Sequence, residues 1–168
     1  ALILTCPFPQ LKKLAKNSGG NVILIMGNHE IMNFNGNYNY VQKNTTNKCL
    51  TYNKNTYNYK LDKTKSCTND RNKLFSIPNG PLSKSMAKYV RGIVKINNNI
   101  FCHGGISLDI SKKYNIHKIN KILYTYLKGK IEYNNNEFQN VYGSDGIIWF
   151  REFSKNEDNC DALKQTLK

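Results

Sequence analysis

Two short stretches concentrate residues able to ligate metals and move protons. The first is Gly27-Asn28-His29-Glu30, directly after the aliphatic run Asn21 to Met26. Asn28 offers a neutral amide oxygen to a hard or borderline cation. His29 offers a ring nitrogen that either ligates or titrates near neutral pH. Gly27 permits a sharp backbone turn. The second stretch is His103-Gly104-Gly105, directly after Ile100-Phe101-Cys102. Two of the three histidines in the chain therefore fall at the ends of predicted strands, each beside glycine. Open α/β sheets bind ligands at the carboxyl ends of their strands. One such histidine reads most simply as structural, with Asn28 capping a helix and His29 exposed. Two of them beside glycine turns read as one site.

The elements that must carry these turns read as a mixture of helices and strands, with an α/β (α+β) fold as the expectation. Residues 9–19 predict a helix, with Pro9 in its first turn, Leu11, Leu14 and Ala15 on one face, and Gly19-Gly20 as the stop. The unbroken run 21–26 predicts a strand buried on both faces. Residues 42–73 are rich in Lys, Asn and Thr and lack periodicity, which predicts a polar inserted loop. Asn79-Gly80-Pro81 marks a turn before a short helix over 82–89. Strand 90–96, a turn at Asn97-Asn98-Asn99 and strand 100–102 follow. Residues 117–128 predict an amphipathic helix, and another begins at Cys160.

With 168 residues, the chain is long enough for one domain with its own core. No apolar run approaches the ~20 residues that span a bilayer. The net charge is +14, almost all of it from lysine. The basic residues are scattered among many asparagines, so the charge reads as compositional bias and not as a nucleic-acid surface. It still favours acidic, phosphorylated substrates through long-range attraction. Five cysteines with no C-x-x-C pair argue against a zinc ribbon. A reducing, cytoplasmic compartment is the default. Cys49 and Cys67 flank the same polar stretch and would be the pair to bridge in a secreted protein.

Gly27-Asn28-His29-Glu30 and His103-Gly104-Gly105 resemble the third and fourth signatures of the phosphoprotein phosphatase family of metallophosphoesterases. The longer stretches GNHEIMNFNGNYNYV (27–41), GPLSKSMAKYVRGIVKINNNIFCHGGIS (80–107) and DGIIWFREF (145–153) resemble its Shewanella-like subgroup. The resemblance implies an α/β/β/α sandwich of two mixed sheets, and two divalent metals, Mn²⁺ with Fe or Zn²⁺ as alternatives. It implies a water-driven attack on a phosphorylated protein. Asn28 and His103 would ligate one metal, and His29 would be the general acid for the leaving serine or threonine oxygen. Arg151 would clamp phosphate in bidentate fashion, with Arg91 a weaker candidate. Gly27, Glu30, Gly104 and Gly105 would support the turns.

The family's GDxHG and GDxVDRG motifs are absent from these 168 residues, as is a later Gly-His-Thr. Asn69-Asp70-Arg71 lacks the strand and glycines needed to replace one of them, and His117 reads as a solvent-facing helix residue. The expectation is an internal part of a single catalytic domain, carrying about half of the metal shell and inactive by itself. Two other readings stand beside the protein phosphatase: a diadenosine tetraphosphatase-like hydrolase, which shares these motifs, and a non-catalytic pseudophosphatase or binding module.

Overall fold

A computed structural model of the chain describes residues 8–41, 49–53, 58–62, 68–155 and 160–167, with side chains at 11–41, 71–155 and 160–167. The sequence expectations for Cys6 and Cys67, and for the Cys49 side chain, lie outside the described residues. Two compact units emerge, one holding residues 1–23 and 29–89, the other holding 24–28 and 90–168.

In the first unit, helix α1 (Phe8–Asn17) runs close to its predicted span and ends where Gly19 adopts a positive φ of 75°. Its apolar positions Leu11 and Leu14 are exposed. The stretch 42–73, expected as a loop, contains an antiparallel hairpin of β2 (Cys49–Asn53) and β3 (Asn58–Asp62). It is followed by helix α3 (Thr68–Phe75), which packs on β2. Polar composition hid these elements because a hairpin held by backbone ladders needs little apolar periodicity of its own. Helix α4 (Pro81–Tyr89) packs on α3, with Leu82, Met86 and Ala87 buried. Phe34 and Phe75 meet edge to face at 5.1 Å.

The second unit begins with β1 (Leu24–Ile25), which pairs in parallel with β4 (Val90–Arg91). The predicted strand over 21–26 is corrected to two paired residues, both half-buried, followed by the fully buried Met26. The predicted strand over 90–96 breaks after Arg91, and β5 (Ile93–Ile96) pairs antiparallel with β6 (Asn99–Cys102). Gly92 and Asn120 explain the break. Asn120 sits in helix α6 (Ile116–Leu127), and its Oδ1 accepts from the N–H groups of Gly92 at 2.8 Å and Ile93 at 3.3 Å. Its Nδ2 donates to the Ile93 carbonyl at 2.9 Å. A side-chain amide thus takes the place of a ladder partner. Asn97 in the hairpin turn has a φ of 53°, a conformation asparagine tolerates better than most residues.

The core of this unit lies along α6 and helix α7 (Asn136–Tyr142). Helix α6 packs on both α7 and β5. Ile119, Ile122, Leu123, Tyr126 and Leu127 are buried, as the 3.6-residue period requires. Tyr126 and Phe138 lie 4.1 Å apart by ring centroids. Helix α5 (Leu108–Lys113) is capped by the Ser107 hydroxyl, which accepts from the Ile110 N–H at 3.3 Å. Helix α9 (Cys160–Thr166), two helices after α7, packs on α5. Between α7 and α9 stands the single turn α8 (Glu152–Lys155). Among the described residues, no helix is long and apolar enough to cross a membrane.

Candidate functional site

Helix α2 (Asn28–Phe34) begins at the first of the sequence-predicted residues. Asn28 closes the short segment that opens the second unit, two residues beyond Met26, whose N–H donates to the Arg91 carbonyl at 2.8 Å. That bond extends the β1–β4 pairing to the edge of the turn. Asn28 is only 9% exposed. His103 follows β6 directly. The fold brings the two together, with His103 Nε2 at 2.9 Å from Asn28 Oδ1 although 75 residues separate them. The imidazole N–H donates to the amide oxygen.

This pair fits one corner of a metal shell. Two donors held about 2.1 Å from one ion at roughly 90° are about 3.0 Å apart. An amide oxygen and an imidazole nitrogen also suit a borderline divalent cation. Among the described residues, no three His, Cys, Asp or Glu side chains gather around a common point.

Arg151 belongs to the same unit. The turn of residues 147–151 packs directly on His103-Gly104-Gly105. The Gly104 N–H donates to the Ile147 carbonyl at 2.7 Å. A Cβ on Gly104 would stand 2.5 Å from Arg151 Nη1 and 2.7 Å from the Ile147 carbonyl oxygen. One on Gly105 would stand 2.8 Å from the Phe150 ring. Both glycines are therefore required for close approach. Ile147 and Ile148, fully buried, anchor the turn. The Arg151 guanidinium donates to the carbonyls of Phe150 at 3.0 Å and Ile148 at 3.4 Å, which fixes its plane beside the glycines. Burial pushes the neighbouring Cys102 thiol up from its ordinary pKa, with Arg151 pulling the other way.

His29 and Glu30 fall in the first unit. The His29 ring is exposed and stacks on Tyr40, with centroids 5.2 Å apart and planes at 16°. Asn33 Nδ2 donates to the His29 carbonyl at 2.6 Å, one turn back along α2. Glu30 is half-buried, and Gly27 is buried. Arg91 is exposed and donates to the Val90 carbonyl at 2.8 Å, a surface arrangement. Trp149 is half-buried within the 146–150 turn, its N–H donating to the Gly146 carbonyl at 2.9 Å. His117 lies exposed near the start of α6. Sequence reasoning missed Tyr40 as the ring partner of His29 and Phe150 as the neighbour of Gly105. No spacing rule pairs them with His29 or Gly105.

No family model matches the chain. Over 170 residues it is 33% identical to Shewanella-like protein phosphatase 1 of Plasmodium berghei (strain Anka), covering 94% of this chain and 41% of that protein. It is 25% identical to Shewanella-like protein phosphatase 2 of Arabidopsis thaliana, covering 94% and 47%. Its fold is shared with the cold-active protein-tyrosine phosphatase of a psychrophile Shewanella, with a TM-score of 0.70 and 23% identity over 98% of this chain and 45% of that one. A second crystal structure, also described as a cold-active protein tyrosine phosphatase, gives 0.68. The chain spans less than half the length of each of these relatives.

Proposed function

This chain belongs to the Shewanella-like protein phosphatases, and we propose that it contributes part of the active site of a metal-dependent phosphoprotein phosphatase. The observation that carries the reading is the 2.9 Å approach of His103 Nε2 to Asn28 Oδ1 at the ends of two strand-borne turns. Arg151 is locked against the second of those turns. Asn28 and His103 would hold a divalent cation, Mn²⁺ for preference. When bound, a pair of such ions supplies an activated water and charge neutralisation at the phosphate.

The chain's own groups do the rest. The Arg151 guanidinium presents a planar fork to phosphate oxygens. His29, the residue after Asn28, gives the proton to the leaving oxygen of serine or threonine, which as a free alkoxide is a poor leaving group. Gly27 and Glu30 shape the first turn, and Gly104 and Gly105 let the second approach Arg151 closely. The stretch 42–73 interrupts this catalytic domain as an insertion.

A phosphotyrosine preference is the second reading, because the solved structures of this fold carry that description. The test is turnover of phosphoserine, phosphothreonine and phosphotyrosine peptides and of diadenosine tetraphosphate, with added Mn²⁺. It uses the 168-residue chain and the chain joined to its flanking coding sequence. The longer protein is expected to cleave phosphoserine and phosphothreonine peptides and to lose the activity in His103→Ala. Hydrolysis of the dinucleotide alone, or activity indifferent to His103, would overturn the proposal.

A further inference from the structure

Within the stretch that composition marks as an insertion, Arg71 of α3 reaches the surroundings of His29. Arg71 Nη1 donates to Asn33 Oδ1 at 3.4 Å. The same Asn33 amide donates through Nδ2 to the His29 carbonyl at 2.6 Å. The Arg71 guanidinium also lies over the Tyr38 ring, 5.5 Å from its centroid, and over Phe75 at 5.9 Å. Tyr38 donates its hydroxyl to Asn72 Oδ1, on the same helix as Arg71. Two residues beyond Tyr38 along the turn is Tyr40, whose ring stacks on the His29 imidazole.

Arg71 therefore reaches two contacts of His29, one through the backbone by way of Asn33, the other through the ring by way of the Tyr38–Tyr40 turn. A guanidinium suits this position. It is planar, carries five donors, and pairs with aromatic faces at modest desolvation cost. It is half-buried, and burial draws its pKa below the ordinary arginine value. A lysine ammonium is a point charge on a flexible stem and does not reproduce this arrangement.

We propose that Arg71 is a positioning residue for His29, holding the imidazole in one orientation through Asn33 and through the turn that carries Tyr40. The geometric claim concerns His29 alone. Its consequence for turnover rests on the reading of His29 as proton donor. A side chain of the polar stretch is then part of the catalytic apparatus, although it contacts no reacting atom.

The test uses the ring-proton NMR signals of His29 in the 168-residue chain. Tyr40 stacked on the imidazole shifts those signals upfield, and Tyr40→Leu supplies the unstacked reference. Arg71→Leu is expected to move the signals towards that reference while far-UV circular dichroism stays that of a folded chain. Should Arg71→Leu fold poorly, Arg71→Lys decides, because it keeps the charge but lacks the fork, and the same movement is expected. His29 signals unchanged in the folded variant would overturn the proposal. In protein active on phosphopeptides, Arg71→Lys is expected to lower kcat roughly tenfold with KM little changed, the pattern of a misplaced catalytic group. If His29→Asn keeps full turnover while the NMR shift moves as expected, the catalytic reading of His29 fails and the positioning of its ring by Arg71 stands.

Discussion

Gly104 and Arg151 interlock. The absence of a side chain at 104 leaves the space that Arg151 Nη1 and the carbonyls of Ile147 and Phe150 occupy. Two motifs more than forty residues apart thus form one packed surface. Gly104→Ala is expected to destabilise the protein by about 1–3 kcal/mol, the scale of overpacking against backbone that cannot yield. Urea unfolding checks this. In protein active on phosphopeptides, turnover should fall by more than the lost stability explains, because Arg151 is displaced.

The donor pair makes a separate demand. His103→Ala and Asn28→Ala should each weaken Mn²⁺ binding, read by calorimetry. In protein active on phosphopeptides, each should lower turnover by ~10²-fold or more, the scale of losing a positioned catalytic group. Full activity with normal metal content in either variant would remove that residue from the shell.

Gly92 and Tyr142 are coupled in the same way as Gly104 and Arg151. A Cβ at 92 would overlap the Tyr142 hydroxyl and lie 2.8 Å from its ring carbon Cζ. That hydroxyl donates to the Ile119 carbonyl at 3.1 Å. Tyr142→Phe alone should cost about 1 kcal/mol, a buried hydrogen bond lost. Gly92→Ala should cost more. The double variant should be more stable than the sum of the two losses implies, because removing the oxygen relieves the worst overlap.

Alkaline pH should act through buried tyrosines. Desolvation raises Tyr126 and Tyr142 well above the ordinary value of 10.0. Below that value both rings are neutral in the folded and the unfolded chain, so this contribution is flat. Above it the unfolded chain releases protons that the folded chain retains, and stability falls as pH rises. Urea midpoints measured below and above pH 10.0 should show the decline, with a shallower slope in Tyr142→Phe. A slope unchanged in that variant would remove Tyr142 as a cause.

The two turns that bring Asn28 and His103 together were legible because strand ends announce themselves by glycine, histidine and an abrupt end to an aliphatic run. Helix α6 was legible for a similar reason, its apolar stripe recurring with a helical period. The predicted strands over 21–26 and 90–96 overran. An apolar run does not show where pairing stops, and in the second of these Asn120 reaching across to Gly92 makes the break. Helix α7 passed unnoticed within an asparagine-rich stretch. Its local signals were present: Asn135 accepts from the N–H groups of Glu137 and Phe138, and Phe138, Val141 and Tyr142 fall on one face. The elements within 42–73 left no periodic trace, and the contacts of Arg71 depend on a tertiary neighbourhood that spacing does not encode.

Asn120 imitates a peptide group. One planar amide gives and takes as a neighbouring strand would, so a helix stands in for a sheet edge beside the hairpin that leads to His103. Position 120 is then closed even to near-isosteres. Aspartate would set a negative oxygen against the Ile93 carbonyl, and leucine would orphan three main-chain groups at once. A residue that looks like ordinary helix decoration holds the first strand of the hairpin that leads to His103.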